Sequence, residues 1–242
     1  MKKLILLLFI PLVSLGQEVN YNPENDILTI DVTENINELV GYPSVEELDS
    51  EAIIFFNLAT ELIDSQPNQS IILYKKAINK DPSFVQAYDN LARTYRVLKE
   101  YDLAIKYYIL SQKIFPRGKS SYQNLALVYT LQKEWDKAIN QYEKLIELHP
   151  NNPEGYYGLA AIYMQIEESL FKALTNAKKA LALYEINPTS YIGDGYAQVG
   201  LIHYYRGEYE YAKIYLTKAK EKYYENNLMH IFKNYEAILD SL

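Results

Sequence analysis

The chain has 242 residues, 49% of them hydrophobic, no cysteine, and a formal net charge of −7. The missing cysteines exclude a disulfide framework, a thiolate metal site and a lipid-bearing thiol. The acidic balance argues against nucleic acid as a partner, because phosphate binding needs a basic stripe. The charge is also split along the chain. Leu4 to Tyr74 holds 12 Asp plus Glu and no Lys or Arg, whereas 22 basic and 19 acidic residues follow from Lys75 onward.

In chain order, residues 1–16 read as an export signal. Lys2 and Lys3 form a positive start, Leu4 to Val13 an apolar run, and Ser14-Leu15-Gly16 a small-residue cleavage site. The apolar run is well short of the roughly 20 residues a membrane span needs, so no stable membrane insertion is expected. The expected location is therefore outside the cytoplasm, periplasmic or secreted, with a bacterial source. Residues 17–49 form an acidic arm with one β-branched island, Ile27 to Val32. That island reads either as a strand or extended segment, or as part of a disordered leader. Ser44 and Glu47 have the spacing of a capping box.

From residue 50 to 226 the chain repeats itself every 34 residues. Tyr88, Leu91, Ala92 and Tyr95 recur as Tyr122, Leu125, Ala126 and Tyr129, and again as Tyr156, Leu159, Ala160 and Tyr163. Ala104, Tyr108 and Pro116 recur as Ala138, Tyr142 and Pro150. The first set stands at i, i+3, i+4 and i+7, one face of a helix. Ala104, Tyr108 and Ser111 mark the inner face of a second helix, which Pro116 stops. The small residues Ala92 and Ala104 let the two helices approach closely. A fixed period of this length signals stacked repeats.

The earlier unit, from about Glu51 to Ser83, predicts an inner face of Phe55, Leu58, Ala59 and Leu62, with one residue missing near Pro67. The fourth unit starts at Pro153 and has an extra residue in its turn near Ser169. A connector at 185–192 breaks the period before a fifth unit carrying Tyr196, Val199, Gly200 and His203, then Ala212, Leu216 and Ala219. Residues 227–242 predict a last helix that caps the array.

These slots resemble the tetratricopeptide-repeat (TPR) family: an aromatic, Leu-Gly/Ala, Tyr, Ala, an aromatic and Pro over 34 residues. The resemblance covers about residues 51–226. It implies an all-α, right-handed TPR solenoid of about five helix-turn-helix repeats with a C-terminal capping helix. It also implies a concave groove, lined by the first helices, that holds a protein or peptide partner. By position the groove residues are Asp89, Arg93 and Arg96; Gln123, Leu127, Thr130 and Leu131; Tyr157 and Met164; and Leu201, Tyr204 and Tyr205. The lining grades from charged to apolar and aromatic. For Leu127 and Leu201 the competing reading is packing against a neighbouring helix. The Lys/Asn clamp by which some members grip a terminal carboxylate is not reproduced, since Asp89 and Gln123 stand where its first Lys is expected.

Of the 25 tyrosines, ten fill repeat slots, and ten of the remaining fifteen lie between Tyr184 and Tyr235. Surface tyrosines suit peptides and also sugars, which makes a glycan-binding module the alternative function. The charge split, with Arg93 and Arg96 on one face, suggests that the acidic arm docks on its own solenoid. No catalytic motif is legible. The three histidines, His149, His203 and His230, do not share a face at ligand spacing, no glycine-rich phosphate loop or nucleophile elbow occurs, and Glu167-Glu168 reads as a solvated turn. The expectation is a non-enzymatic scaffold without cofactor or metal, in an envelope or secretion-related assembly.

Overall fold

The computed structural model describes residues 19–22, 27–30, 47–166, 169–187 and 189–242. The signal region, Ser44 and the pair Glu167-Glu168 lie outside the described residues. The chain divides into two units, Met1–Val128 and Tyr129–Leu242.

The first unit begins with two strands, β1 (Val19–Asn22) and β2 (Ile27–Ile30), paired antiparallel with Val19 opposite Ile30 and Tyr21 opposite Leu28. β2 falls inside the β-branched island. Then come α1 (Ser50–Leu62), α2 (Pro67–Lys80), α3 (Val85–Val97), α4 (Tyr101–Ile114) and most of α5 (Lys119–Leu131). The second unit holds α6 (Trp135–Leu148), α7 (Pro153–Tyr163), α8 (Leu170–Ile186), α9 (Ile192–Tyr205), α10 (Tyr209–Glu225) and α11 (Met229–Asp240). Helices pack as sequential pairs: α1 with α2, α3 with α4, α7 with α8, and α9 with α10. The pairs are joined by α2 on α3, α6 on α7 and α8 on α9. The array is all-α, as the period predicted.

The periodic residues sit where their spacing put them. Leu91, Ala92, Ala104, Ala126, Ala138 and Ala160 have essentially no exposed surface. Tyr88 donates its hydroxyl to the Pro82 carbonyl at 3.2 Å, and Tyr122 does the same to Pro116 at 3.0 Å. In α3 and α5 the aromatic slot thus ties the first helix to the proline turn before it, whereas Tyr196 in α9 donates to the Glu185 carboxylate at 2.6 Å. Close approach is most demanding at α7, where a Cβ on Gly158 would meet the Tyr142 ring at 2.2 Å.

The turns repeat as well. Lys99, Lys133 and Gly207 adopt left-handed φ of 63°, 60° and 75°. The next residue's N–H returns to the last helical turn in each case: Glu100 to Tyr95, Glu134 to Tyr129, and Glu208 to His203, all at 2.9 Å. This 6→1 bond is the Schellman closure, which satisfies a carbonyl the helix end would leave open.

Two expectations need correction. The inner face of α1 is Ala52, Phe56 and Ala59; of the expected Phe55, Leu58, Ala59 and Leu62, only Ala59 belongs to it. Leu58 is 44% exposed, while Leu91, its counterpart in α3, is fully covered. α3 has α2 packed on it, but α1 is the first helix and no described helix precedes it. Phe56 fills the inside instead, against Phe84 (centroids 4.8 Å) and Tyr74 (5.7 Å). The α1–α2 link, residues 63–66, is also longer rather than shorter than the α3–α4 link, residues 98–100. α1 opens at Ser50, where Asp49 accepts from the Ala52 amide at 3.0 Å.

The connector is shorter than its expected span. α8 continues to Ile186 and α9 starts at Ile192, so Glu185 and Ile186 are helical. Half of the broken period is extra length in α8, with 17 residues against 14 in α4 and α6. α11 closes its end as predicted, with Phe232 and Tyr235 buried and Ile231, Ile238 and Leu239 packed on the same cluster.

Candidate functional site

In the first unit, α3 carries Asp89, Arg93 and Arg96 at i, i+4 and i+7, one face of a helix. All three are half-buried. α4, packed on α3, contributes Tyr108 and Ser111, both inside. Burial pushes the Asp89 carboxyl up to about 7, with the Ser111 hydroxyl pulling it partly back. Burial also pushes the Tyr108 hydroxyl well above its ordinary value, against the opposing pull of Arg96. Three buried polar atoms here have no hydrogen-bond partner: Asp89 Oδ1, Arg96 Nε and the Tyr108 hydroxyl. Buried polar atoms are paired in the large majority of cases, so this cluster has unused capacity to bond. Tyr74, below it, is satisfied by Thr60 at 3.0 Å. Gln123 and Leu127 on α5 are half-buried.

In the second unit the predicted residues spread out. Thr130 is 3% exposed and offers no surface, whereas Leu131 beside it is open. Tyr157, Met164 and Leu201 are partly buried against the cluster that contains Leu181, Tyr196 and Phe232. Leu201 therefore packs rather than lining open space. Tyr204 and Tyr205 meet edge-to-face at 5.7 Å, and Tyr204 also meets Tyr209 at 5.8 Å.

Two polar residues on α9 were missed by sequence reasoning. Asp194 accepts the Tyr223 hydroxyl at 2.6 Å, deep inside, and its pKa is raised by burial. Gln198 donates to the Tyr157 carbonyl at 3.0 Å. The signal was present, because Asp194 stands two residues before the slot aromatic Tyr196, as Gln86 stands before Tyr88. His203, which replaces the slot tyrosine, is buried with Nδ1 2.5 Å from Glu208 and its ring stacked on Tyr211 and Tyr215. Glu208 is held down to about 2, first by Arg206 and then by His203. This trio fastens the α9–α10 turn. Among the described residues no cluster of His, Cys, Asp and Glu is arranged for a metal ion, and no helix is long and apolar enough to cross a membrane.

Two family profiles match the chain, one described as tetratricopeptide repeat over residues 73–106 and one as TPR repeat over residues 120–166. The chain is a tetratricopeptide-repeat protein. Solved TPR structures share its fold. TTC0263, a thermophilic TPR protein in Thermus thermophilus, is 18% identical with a TM-score of 0.60, over 76% of this chain and 97% of that one. MamA, residues 41 to the end, from Desulfovibrio magneticus RS-1 is 16% identical with a TM-score of 0.60, over 74% and 98%. The APC/C hetero-tetramer Cut9–Hcn1 gives 16% identity and a TM-score of 0.56, over 71% of this chain and 37% of that one. No curated protein matches the chain. The TPR repeats set the places of α3 and α9, while the side chains on them are this chain's own.

Proposed function

We propose that this TPR protein is an exported scaffold that holds a linear protein segment, with the main grip on the α3 face. One observation carries the reading: Asp89 Oδ1, Arg96 Nε and the Tyr108 hydroxyl are buried together without partners. An extended peptide backbone offers the alternating N–H and C=O groups that such donors and acceptors need. Arg93 and Arg96 add preference for an acidic or carbonyl-rich stretch. The Cut9–Hcn1 hetero-tetramer, named among the fold relatives, is an assembly of the kind envisaged. Export rests on Lys2, Lys3 and the apolar run behind them, and an envelope or secretion assembly is the corresponding setting. The chain binds and does not transform its partner.

Selection of a random linear peptide library on the chain tests this. Arg93→Ala/Arg96→Ala is expected to weaken the selected peptides at least about tenfold, the scale of losing charged hydrogen bonds, while Tyr204→Ala/Tyr205→Ala leaves them unchanged. Glycan binding is the competing reading, resting on the half-buried Tyr204 and Tyr205 beside the exposed Tyr209. It gains if no peptide is selected and a glycan array gives binders that the tyrosine variant loses.

A further inference from the structure

We propose that the β1–β2 hairpin seats on the open flank of α1 and closes the first end of the array. This stands independently of the peptide site on α3. The strand register makes the hairpin two-faced. Directly paired residues share a side of the ladder and sides alternate along each strand. Val19 with Ile30 and Tyr21 with Leu28 are therefore the alternate register pairs, and all four residues are apolar. Asn20 with Thr29 and Asn22 with Ile27 are the remaining pairs, with only Ile27 apolar. A two-stranded hairpin alone is marginal in water and needs something to lie against.

α1 has a matching surface. Its inside face is Ala52, Phe56 and Ala59. Around the opposite flank, at i, i+4 and i+8, run Ile54, Leu58 and Leu62 with Phe55 beside them. Ile54 is 57% exposed and Leu58 44%. In α3 the slots of Phe55 and Leu58 are buried Tyr88 and Leu91, covered because α2 precedes it. α11, the last helix, turns its apolar side inward; α1 has apolar residues on both sides, and a terminal element of a repeat array needs a polar outer face.

The tether fits. Residues 31–48 separate β2 from Asp49 and can span up to about 60 Å, whereas α1 is only about 20 Å long. Charge steers the same way. That tether carries Asp31, Glu34, Glu38, Glu46 and Glu47, while α2, packed on α1, carries Lys76, 5.4 Å over the Phe55 ring, with Lys75 over the Tyr95 ring and Lys80 paired with Glu51 of α1. The seat differs from the one charge alone suggested. Arg93 and Arg96 form a polar surface, whereas the hairpin offers an apolar one.

Hydrogen–deuterium exchange on the chain tests the seat, with circular dichroism confirming unchanged helix content in every variant. In the wild type the amides of Leu28 and Ile30 should exchange at least tenfold more slowly than in Ile54→Lys/Leu58→Lys. Arg93→Ala/Arg96→Ala should leave them slow. On the hairpin side, Leu28→Asp/Ile30→Asp should raise exchange at the hairpin and make Ile54→Cys, introduced into this cysteine-free chain, react faster with maleimide. The proposal falls if the hairpin amides are unprotected in the wild type, or if the arginine variant rather than the α1 variant releases them. It also falls if the protection depends on chain concentration, which would make a second copy the occupant.

Discussion

α3 and α9 hold the same place in their repeats and fill it with different polar residues. On α9, Asp194 accepts the Tyr223 hydroxyl and Gln198 donates to the Tyr157 carbonyl, while Gln198 Oε1 and His203 Nε2 stay without a partner. On α3, Asp89 and Arg96 each keep a buried atom with no bond to make, beside a Tyr108 hydroxyl in the same condition. The α9 residues are thus construction, joining helices α7, α9 and α10. The α3 residues carry an energetic cost in the free protein that the proposed partner would relieve. One repeat slot can also carry a bond between helices, as Asp194 and Gln198 do.

That contrast breaks most visibly at Asp194. Asp194→Ala leaves the buried Tyr223 hydroxyl without its acceptor, a loss of about 2 kcal/mol or a Tm drop of roughly 4–8 °C for a chain of this size. Asp194→Asn keeps an acceptor and should recover most of it, as thermal melts followed by circular dichroism will show. Asp89 should behave in the reverse sense. Its folded-state pKa of about 7 lies above the unfolded value near 4, so the folded state binds the extra proton and stability from this group declines as pH rises from about 4 to about 7. Asp89→Asn removes that decline. The variant should gain on the order of 1 kcal/mol over wild type at pH 8 and nothing at pH 4, read from urea midpoints at the two values.

Smaller effects sharpen the picture of the frame that carries both helices. Lys99 and Lys133 hold left-handed backbone that a side chain adopts at a cost. Lys99→Gly and Lys133→Gly should each stabilise by about 0.5–1 kcal/mol, raising the denaturation midpoint without touching binding. Arg93→Ala/Arg96→Ala should shift stability least, within about 0.5 kcal/mol, since the loss it causes belongs to the partner.

The frame was legible because it is periodic. Ala92, Ala104 and Pro116 recur at fixed spacing, and each does the packing or stopping that its chemistry dictates. What escaped reading was what depends on a neighbour rather than a period. α1 turned its inner face to Phe56 because no described helix precedes it. The length of α8 looked like a connector because a longer helix shifts the repeat phase as a loop would. β2 was readable as an apolar island, but its partner Val19–Asn22, half asparagine, gave no strand signal of its own. On α3, the shared face of Asp89, Arg93 and Arg96 was legible from slot position, and Thr130 and Leu201 were not distinguishable from exposed residues at similar slots. Whether an atom has a partner is a three-dimensional property that no spacing encodes.

Tyr108→Phe provides the most direct measurement, because it deletes one buried hydroxyl that makes no well-formed hydrogen bond and whose neighbour in the fold is Arg96. Calorimetric titration of a library-selected peptide into wild type and variant should show affinity falling about tenfold, while the free variant melts at the same temperature or higher. Unchanged affinity, or a free variant that melts several degrees lower, would mean the hydroxyl is satisfied within the fold and the α3 face is not where a partner is held.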